Sequence, residues 1–460
     1  MSSIGTFSGY NIGKSALVTA SNAEDVVGNN VANADTEGYS VQRVDIAEAP
    51  AVAVAANGTM STAGQFGTGV RSAAITRARD QFVDESLRDA YSRKGAQDAI
   101  DKQLAGVESV INEPGEAGIN SALNNFFNAF NDVENNPEDP GIRATAVGAG
   151  QNLAHKLRIT QQSLDANGEQ IADQINIDQS QVNTIAHRIA DLNAQIRRVT
   201  ASHEQPNALL DQRDLQLDKL AKLVNVKSTL QRDGSVNVNI GGTELVAGDK
   251  ARDVNLADLV TRGHLKNGTL YGDVKALSSL TELQGHLDDL TNTFTAQVNS
   301  THAAGAGLDG TTGLPLFTGS GARDIDVNQN VALHPEKLAA AAVPAVAGDP
   351  VPPGDASNAV RIYQLKDKIV DAGPLSGHTL SRYYNHLVTQ IGAEASNAKS
   401  ASDLVGATIT QLETQRSSTS GVNIDEEATK LIQYQRSYQA AAKVISANDD
   451  MLTSLLGMVR

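Results

Sequence analysis

Apolar residues recur every seven positions along the last forty residues of the chain, 421–460. The repeat comprises Ile424, Leu431, Tyr438, Ile445, Leu452 and Val459, with Tyr434, Ala441 and Leu455 three residues after three of them. A strict seven-residue period is typical of a coiled-coil seam. Asn423 followed by Glu426 has the spacing of a helix N-cap with its capping box. We therefore predict a long C-terminal helix whose apolar seam needs a partner.

A second apolar stripe lies near the start of the chain, and it consists of Tyr10, Leu17, Ala20, Val27 and Val31. A helix with one apolar face is stabilised only when another element covers that face. Either the two ends pair with each other and the rest of the chain extends outward from them, or each end packs separately on a globular body. Both hypotheses are compatible with the spacing.

The middle of the chain changes from a helical period to a period of two and back again. Helical stripes are predicted over 119–135, 160–200, 208–223 and 279–301, and again after Leu375. Alternating residues from Val224 lead to Asp233-Gly234, a type I′ turn signal, and then to Gly241-Gly242, which together predict a β-meander.

We therefore predict a mainly α fold with a β-rich distal domain, in which the terminal helices pair as a coiled coil around which a central helical bundle and an outer β domain are arranged. The predicted domains are an N-terminal coiled-coil segment 1–35, a helical domain formed by 36–223 and 371–420, a β-rich outer domain 224–370 that contains the helix 279–301, and a C-terminal coiled-coil segment 421–460.

Composition excludes several classes of function. The chain has no Cys, which excludes disulfides and thiolate chemistry. Its net charge of −16 argues against a nucleic-acid or anionic-membrane surface. No segment has the length and apolarity of a membrane span, and no cleaved signal peptide is visible.

Candidate chemistry is sparse along the chain. The Gly-rich stretch 305–313 lacks the lysine of a phosphate-binding loop, and the nine histidines form no metal-binding motif. His378 and His386 are interpreted as ordinary helix positions. The carboxylates of Asp425–Glu427 and Asp288-Asp289 are interpreted as solvated or dipole-stabilising groups. We expect no catalytic residue, no cofactor and no bound metal.

Several stretches resemble the flagellar axial proteins of bacteria. NNVANADTEGYSVQ (29–42) is similar to the motif near the start of rod, hook and hook-associated proteins, and the stretch that begins at Gly421 looks like their closing motif. Five interior segments resemble the hook-associated protein 1 family in particular: 67–88, 135–143, 207–214, 299–317 and 354–360. Asp35, Glu37 and Val41 depart from the first motif.

The resemblance implies a structural junction protein of the bacterial flagellum, adapting the hook to the filament, secreted by the type III export route and located outside the cell. Its implied partners are further copies of itself, the hook protein, hook-associated protein 3 and, before secretion, an export chaperone that binds the C-terminal helix, with no nucleic acid and no membrane. The predicted assembly seam consists of Tyr10, Leu17, Val27, Val31, Ile424, Leu431, Tyr438, Ile445, Leu452, Leu455 and Val459. The implied turn motif consists of Asn30, Asn33, Gly38 and Tyr39.

Two other classes of function remain as alternatives. One is a secreted adhesin or enzyme on a helical stalk, which would place a convergent polar site in the β region. The other is a cytosolic coiled-coil scaffold, which would need neither the Gly-Tyr motif nor the β region.

Overall fold

The computed structural model describes residues 8–458 with the exception of 56–61, 114, 116–117, 203 and 347–348. The α-helices are α1 (Ser8–Ala32), α2 (Gln81–Ile111), α3 (Ile119–Asn135), α4 (Pro140–Ala201), α5 (Asn207–Leu223), α6 (Leu256–Thr261), α7 (Thr269–Ala303), α8 (Gln329–Ala332), α9 (Ser357–Gln364), α10 (Leu380–Ser420) and α11 (Ile424–Met458). The strands are β1 (Gln42–Glu48), β2 (Val52–Ala55), β3 (Thr62–Phe66), β4 (Val70–Arg77), β5 (Val226–Leu230), β6 (Val236–Ile240), β7 (Thr243–Ala247), β8 (Lys250–Ala251), β9 (Gly305–Ala306), β10 (Phe317–Thr318), β11 (Asp326–Val327) and β12 (Ala341–Ala342). The predicted mainly α fold is confirmed.

The chain forms two compact units, and each is assembled from distant parts of the sequence. The first unit comprises Met1–Arg93, Ser180–Lys266 and Val405–Arg460, and the second comprises Lys94–Gln179 and Asn267–Leu404. Three helices, α2, α4 and α10, contribute residues to both units.

The described part of the first unit contains three antiparallel β elements besides its helices. Strand β1 pairs with β4, with Gln42 opposite Arg77, and β2 pairs with β3, with Val52 opposite Phe66. Strands β5, β6, β7 and β8 form a meander in that order. The side-chain amide of Asn193 on α4 is fully buried and bonds both backbone groups of Val236 and the carbonyl of Gly248. These bonds fasten the predicted meander to a helix.

The two turns of the meander differ. Gly241 and Gly242 both have positive φ, 53° and 104°, and they connect β6 to β7 as a two-residue loop. In the first turn only Gly234 has positive φ, 83°, and its N–H bonds the carbonyl of Gln231. A type I′ turn needs positive φ at both central residues, so the type I′ prediction for Asp233-Gly234 is wrong.

The core of the second unit is an aromatic cluster. Phe126, Phe127 and Phe130 on α3 meet Phe294 on α7 and Phe317 on β10, with ring centroids 5.1–6.2 Å apart. All five rings are buried. Offset and edge-on contacts of this kind add to the hydrophobic stabilisation of a core. Their convergence explains why the stripe on α3 is uninterrupted.

The end of α3 agrees with the helical stripe predicted over 119–135. Helix α3 ends at Asn135, and α4 begins at Pro140, where the missing N–H costs nothing. The carboxylate of Asp139 accepts from the N–H groups of Gly141 and Ile142, at 2.7 and 3.3 Å, and so caps α4.

Several boundaries differ from the predictions. Helix α4 runs over 62 residues and starts before the predicted 160–200 segment, and α7 is longer than 279–301. The segment 224–370, predicted as one β-rich domain, is divided after Lys266 between the two units, because the meander packs on α4 while α7 joins the aromatic core. His378 lies in a turn before α10, so its interpretation as a helix position is wrong. The other domain boundaries and the coiled coil stay predictions.

The terminal helices and the turn motif as a candidate assembly site

The two ends of the chain meet in the first unit, where α1 lies antiparallel to α11. Gly9 faces Asn448, Gly13 faces Ile445, and Asn30 reaches the first turn of α11. A Cβ placed on Gly13 would lie 2.7 Å from Cγ1 of Ile445. The glycine therefore allows the two helices to approach each other closely.

The contact with α1 buries only part of the predicted seam. Val27 is buried, whereas Leu17, Leu431, Ile445 and Leu452 are half-buried, and Tyr10, Val31, Ile424 and Tyr438 are exposed. The side chain of Leu455 and the whole of Val459 lie outside the described residues. The role of these positions as an assembly seam stays a prediction.

A further row of apolar side chains on α11 was not predicted. Val444, Met451 and Met458 are spaced by seven residues, and they are exposed by 44, 57 and 82%. We call these three residues the α11 flank, since they lie beside the stripe that faces α1 rather than within it. Their seven-residue spacing was visible in the sequence but is offset from the more regular repeat.

Asn30 is the centre of the turn motif and is fully buried. Its Oδ1 accepts from the hydroxyl of Tyr39 at 2.8 Å and from the N–H of Gln42 at 3.0 Å. Its Nδ2 donates to the carbonyl of Gln42 at 2.9 Å and to Oε2 of Glu427 at 2.8 Å. One amide thereby joins the end of α1, the start of β1 and the first turn of α11.

Glu427 differs from its neighbours at the start of α11. Asp425 and Glu426 are exposed, and Asn423 caps the helix as predicted by accepting from their N–H groups. Glu427 is 1% exposed, and its second carboxylate oxygen accepts from Lys430 at 2.6 Å. Its interpretation as a solvated carboxylate is wrong, because Asn30 and Lys430 compensate for the cost of burying the charge.

Asp288 is a second correction of the same kind. Its carboxylate is half-buried and accepts from the N–H of Ala322 at 2.8 Å, so it is not simply a solvated group of α7.

The rest of the turn is held by local bonds. Asn33 donates to the carbonyl and side chain of Asn29, and Gly38 has a φ of +82°. A Cβ on Gly38 would lie 3.1 Å from Cβ of Leu215, so the glycine serves both the turn and the packing against α5.

Burial raises the pKa of Tyr39 to about 12, and the charges of Asp211 and Glu427 act in the same direction. Tyr39 therefore stays a hydrogen-bond donor at neutral pH.

A buried ion-pair network lies next to this turn and joins four parts of the first unit. It contains Arg77 at the end of β4, Arg79 after it, Asp84 and Arg88 on α2, Asp211, Asp214 and Asp218 on α5, and Arg416 on α10. The shortest ion-pair distances are 2.7 Å for Arg77–Asp214 and Arg416–Asp218. Arg77–Asp211 and Arg88–Asp218 follow at 2.8 Å. Ser40 of the turn donates to Asp211 at 2.7 Å and so connects the turn motif to the network.

Burial and charge act in opposite directions on the carboxylates of this network. For Asp214, burial alone would raise the pKa, but the surrounding guanidinium groups outweigh it and the pKa is lowered. For Asp84 the effect of burial is the larger, and its pKa is raised despite Arg79 and Arg88. Each carboxylate has a cationic partner, so this network holds elements in place.

No group of three or more His, Asp or Glu side chains in the described part of the chain could hold a metal ion. Within the same residues, no helix is long and apolar enough to cross a membrane.

Comparisons with known proteins add independent observations. The model of the flagellar hook-associated protein FlgK helical domain matches residues 104–317. Flagellar hook-associated protein 1 of Bacillus subtilis (strain 168) is 27% identical over 504 residues, which cover 98% of both chains. The protein of the same name from Escherichia coli (strain K12) is 25% identical over 558 residues and is also covered to 98%. The chain is thus similar to flagellar hook-associated protein 1 along nearly its whole length.

Two terminal segments of the chain match broader flagellar models. Residues 11–39 match the flagella basal body rod protein, and residues 413–458 match the C-terminal model of the basal body rod FlgEFG proteins. The flagellar hook junction protein FlgK from Burkholderia pseudomallei has a similar fold, with a TM-score of 0.63 at 17% identity over 73% of this chain and 100% of that chain.

The structure gives a physical reason for several family segments. Residues 29–42, 67–88 and 207–214 supply the turn motif and most of the ion-pair network, and the closing motif supplies Glu427. Sequence reasoning missed the network. The alternation of Arg and Asp around Arg77–Asp80 and Asp211–Asp214 was its only local signal.

Proposed function

We propose that this chain is a structural protein of the bacterial flagellum that forms the junction between hook and filament, and that filament assembly depends on it. The similarity to hook-associated protein 1 from different bacteria over 96–98% of the chain carries this proposal. The alternative of a secreted adhesin or enzyme on a stalk is not favoured by these relatives.

Two sets of polar contacts hold different elements of the first unit in place. Asn30 and Glu427 fix the start of α11 against the turn, and the ion-pair network fixes the turn against α2, α5 and α10. The three side chains of the α11 flank are exposed, and apolar side chains grouped on an exposed face often mark an interaction site. We infer that neighbouring subunits of the junction cover this flank and the exposed part of the predicted seam.

The proposed partners follow from the same role. They are further copies of this chain, the hook protein on one side, hook-associated protein 3 on the other, and an export chaperone that covers the C-terminal helix before secretion. The proposed location is the hook–filament junction outside the cell. No catalytic activity, cofactor or metal is part of the proposal.

Deletion of the gene in its host tests the role. We expect electron microscopy to show cells with full-length hooks and no filaments, and expression of the intact chain to restore filaments. Filaments on the deletion strain, or loss of the hooks themselves, would contradict a function at the junction.

A further inference from the structure

His302 occupies the last turn of α7 in the second unit, and both of its ring nitrogens bond backbone groups. Nδ1 lies 2.7 Å from the carbonyl oxygen of Leu314, and Nε2 lies 3.0 Å from the amide nitrogen of Ala339. A carbonyl can only accept and an amide N–H can only donate, so the hydrogen is on Nδ1 and the lone pair on Nε2. The fully buried ring is thus held in one neutral tautomer.

The bonds of His302 hold the end of α7 to a segment that is otherwise nearly devoid of regular structure. Residues 305–342 contain only the two-residue pairs β9–β12 and β10–β11, one isolated bridge between Ala306 and Thr312, the four-residue helix α8 and one 3-10 turn. The segment depends on side chains that bond its backbone. Asn299 bonds Phe317, and Asn358 bonds the carbonyl of Ala339 at 2.8 Å.

Arg143 is a third such side chain, and it brings a positive charge to the same place. It is 1% exposed, and its Nη1 donates to the carbonyl of Leu338 at 2.6 Å, one residue before the partner of His302. Its Nε donates to the carbonyl of Pro137 at 2.5 Å. Arg143 and His302 therefore bond the backbone of two consecutive residues of this segment.

Carboxylates on the surrounding segments have other partners. The charged and titratable side chains there are Arg143, Asp309, His334, Glu336, Lys337, Asp355 and Arg361. Asp309 accepts from Thr311, Asp355 from the backbone of Ala342 and Ser357, and Glu336 lies 3.1 Å from His334. Both ring nitrogens of His302 bond backbone groups. An imidazolium formed at His302 would therefore have no carboxylate as an ion-pair partner.

We propose that His302 is an acid-sensitive latch, in which protonation of Nε2 removes the acceptor of the Ala339 N–H and releases the 305–342 segment from the end of α7. The step adds one proton from solvent to a lone pair, breaks one hydrogen bond and leaves a buried cation near Arg143. The latch is independent of the function proposed above.

The direction of the pH effect follows from the two protonation equilibria. Burial lowers the pKa of His302 in the closed state, although the bond to Leu314 opposes this. In the open state the ring regains an ordinary pKa of about 6.5. The open state therefore binds the proton more readily, and the stability of the closed state is lost as the pH falls below about 6.5.

Hydrogen exchange on the full chain tests the latch. After correction for intrinsic rates, we expect the Ala339 amide and its neighbours in 305–342 to exchange up to about fivefold faster at pH 5.5 than at pH 6.5, because an open-state imidazole with a pKa of about 6.5 is about half protonated at the higher pH and almost fully protonated at the lower. The His302→Gln variant, whose side-chain oxygen can accept from Ala339 but cannot be protonated, should lose this dependence. The His334→Gln variant, which removes an exposed histidine, should retain it.

A direct titration by NMR keeps the proposal testable if the Gln variant folds poorly. The His302 ring of the wild-type protein should show the Nδ1–H tautomer at neutral pH and a pKa below the ordinary value. An ordinary or raised pKa, exchange of 305–342 that ignores pH in this range, or equal pH dependence in wild type and the His302→Gln variant would overturn the latch.

Discussion

Helices α3 and α11 both carry regular apolar stripes, but only the stripe of α3 is covered by its own chain. Ile119, Leu123, Phe126, Phe130 and Val133 of α3 are at most 3% exposed. Among the apolar residues of α11 whose burial the structure describes, only Ala441 is buried, whereas Tyr438 is 38% and Met451 57% exposed. A stripe shows that a helix needs a partner, and its period does not tell whether that partner is in the same molecule. The two stripes therefore differ in how far their own chain covers them, and this difference underlies the proposed role of α11 in assembly.

The anchoring of the two helices differs as well. Helix α3 is held by aromatic rings, whose burial is favourable by itself, whereas the start of α11 is held by one amide, one carboxylate and one ammonium group. Polar anchors contribute little net stability, but their geometry is specific, and a missing partner leaves the other groups unsatisfied. Polar contacts of this kind fix the direction of α11 more than they add to its stability.

The largest effect is expected in the aromatic core. Phe126→Ala should lower the free energy of unfolding of the second unit by about 3–5 kcal/mol, because it removes a ring that contacts four others and leaves a cavity. Phe82→Ala is the matched control, since Phe82 is 77% exposed, and it should change stability by less than about 0.5 kcal/mol. Thermal and denaturant unfolding measure both. Equal effects of the two substitutions would contradict the placement of the core.

A smaller, local effect is expected at the start of α11. Glu427→Ala should weaken the attachment of α11 by about 1–3 kcal/mol, because Asn30 and Lys430 lose a buried acceptor. Glu426→Ala removes an exposed carboxylate from the same turn and serves as control. Hydrogen exchange of the first turns of α11 should increase only in the Glu427 variant, while the aromatic core keeps its protection. Unchanged exchange in that variant would mean that Asn30 and Glu427 do not anchor the helix.

The difference between the two helices also marks how far the sequence predicts the structure. The α3 stripe, the Asn423 cap and the meander were predictable, because each depends on local periodicity or on a few adjacent residues. The approach of α1 to α11 was only one of two hypotheses that the spacing allowed. The burial of Glu427 was not, since it depends on Asn30, 397 positions away. The ion-pair network likewise needs four separate segments at once, and individual Arg and Asp residues on helices usually lie in solvent. The segment 224–370 is divided between the two units according to the helix that covers the meander. An apolar period of two in the sequence does not specify that helix.

Substitutions in the α11 flank are expected to change the stability of the folded protein least and its assembly most. Val444→Gln with Met451→Gln replaces two exposed apolar side chains by polar ones, and the purified protein should unfold within about 0.5 kcal/mol of wild type. Ile159→Gln with Ile177→Gln makes the same kind of change at two exposed positions of α4, 44 and 59% exposed, and serves as the matched control.

The most direct test of the account is to count filaments by electron microscopy on deletion cells that express each of these two double variants. If neighbouring subunits cover the α11 flank, cells with the flank variant should carry hooks without filaments, while cells with the α4 variant should carry filaments as the wild type does. Normal filaments on cells with the flank variant, or a flank variant that no longer folds as a monomer, would contradict the claim that this uncovered surface serves assembly.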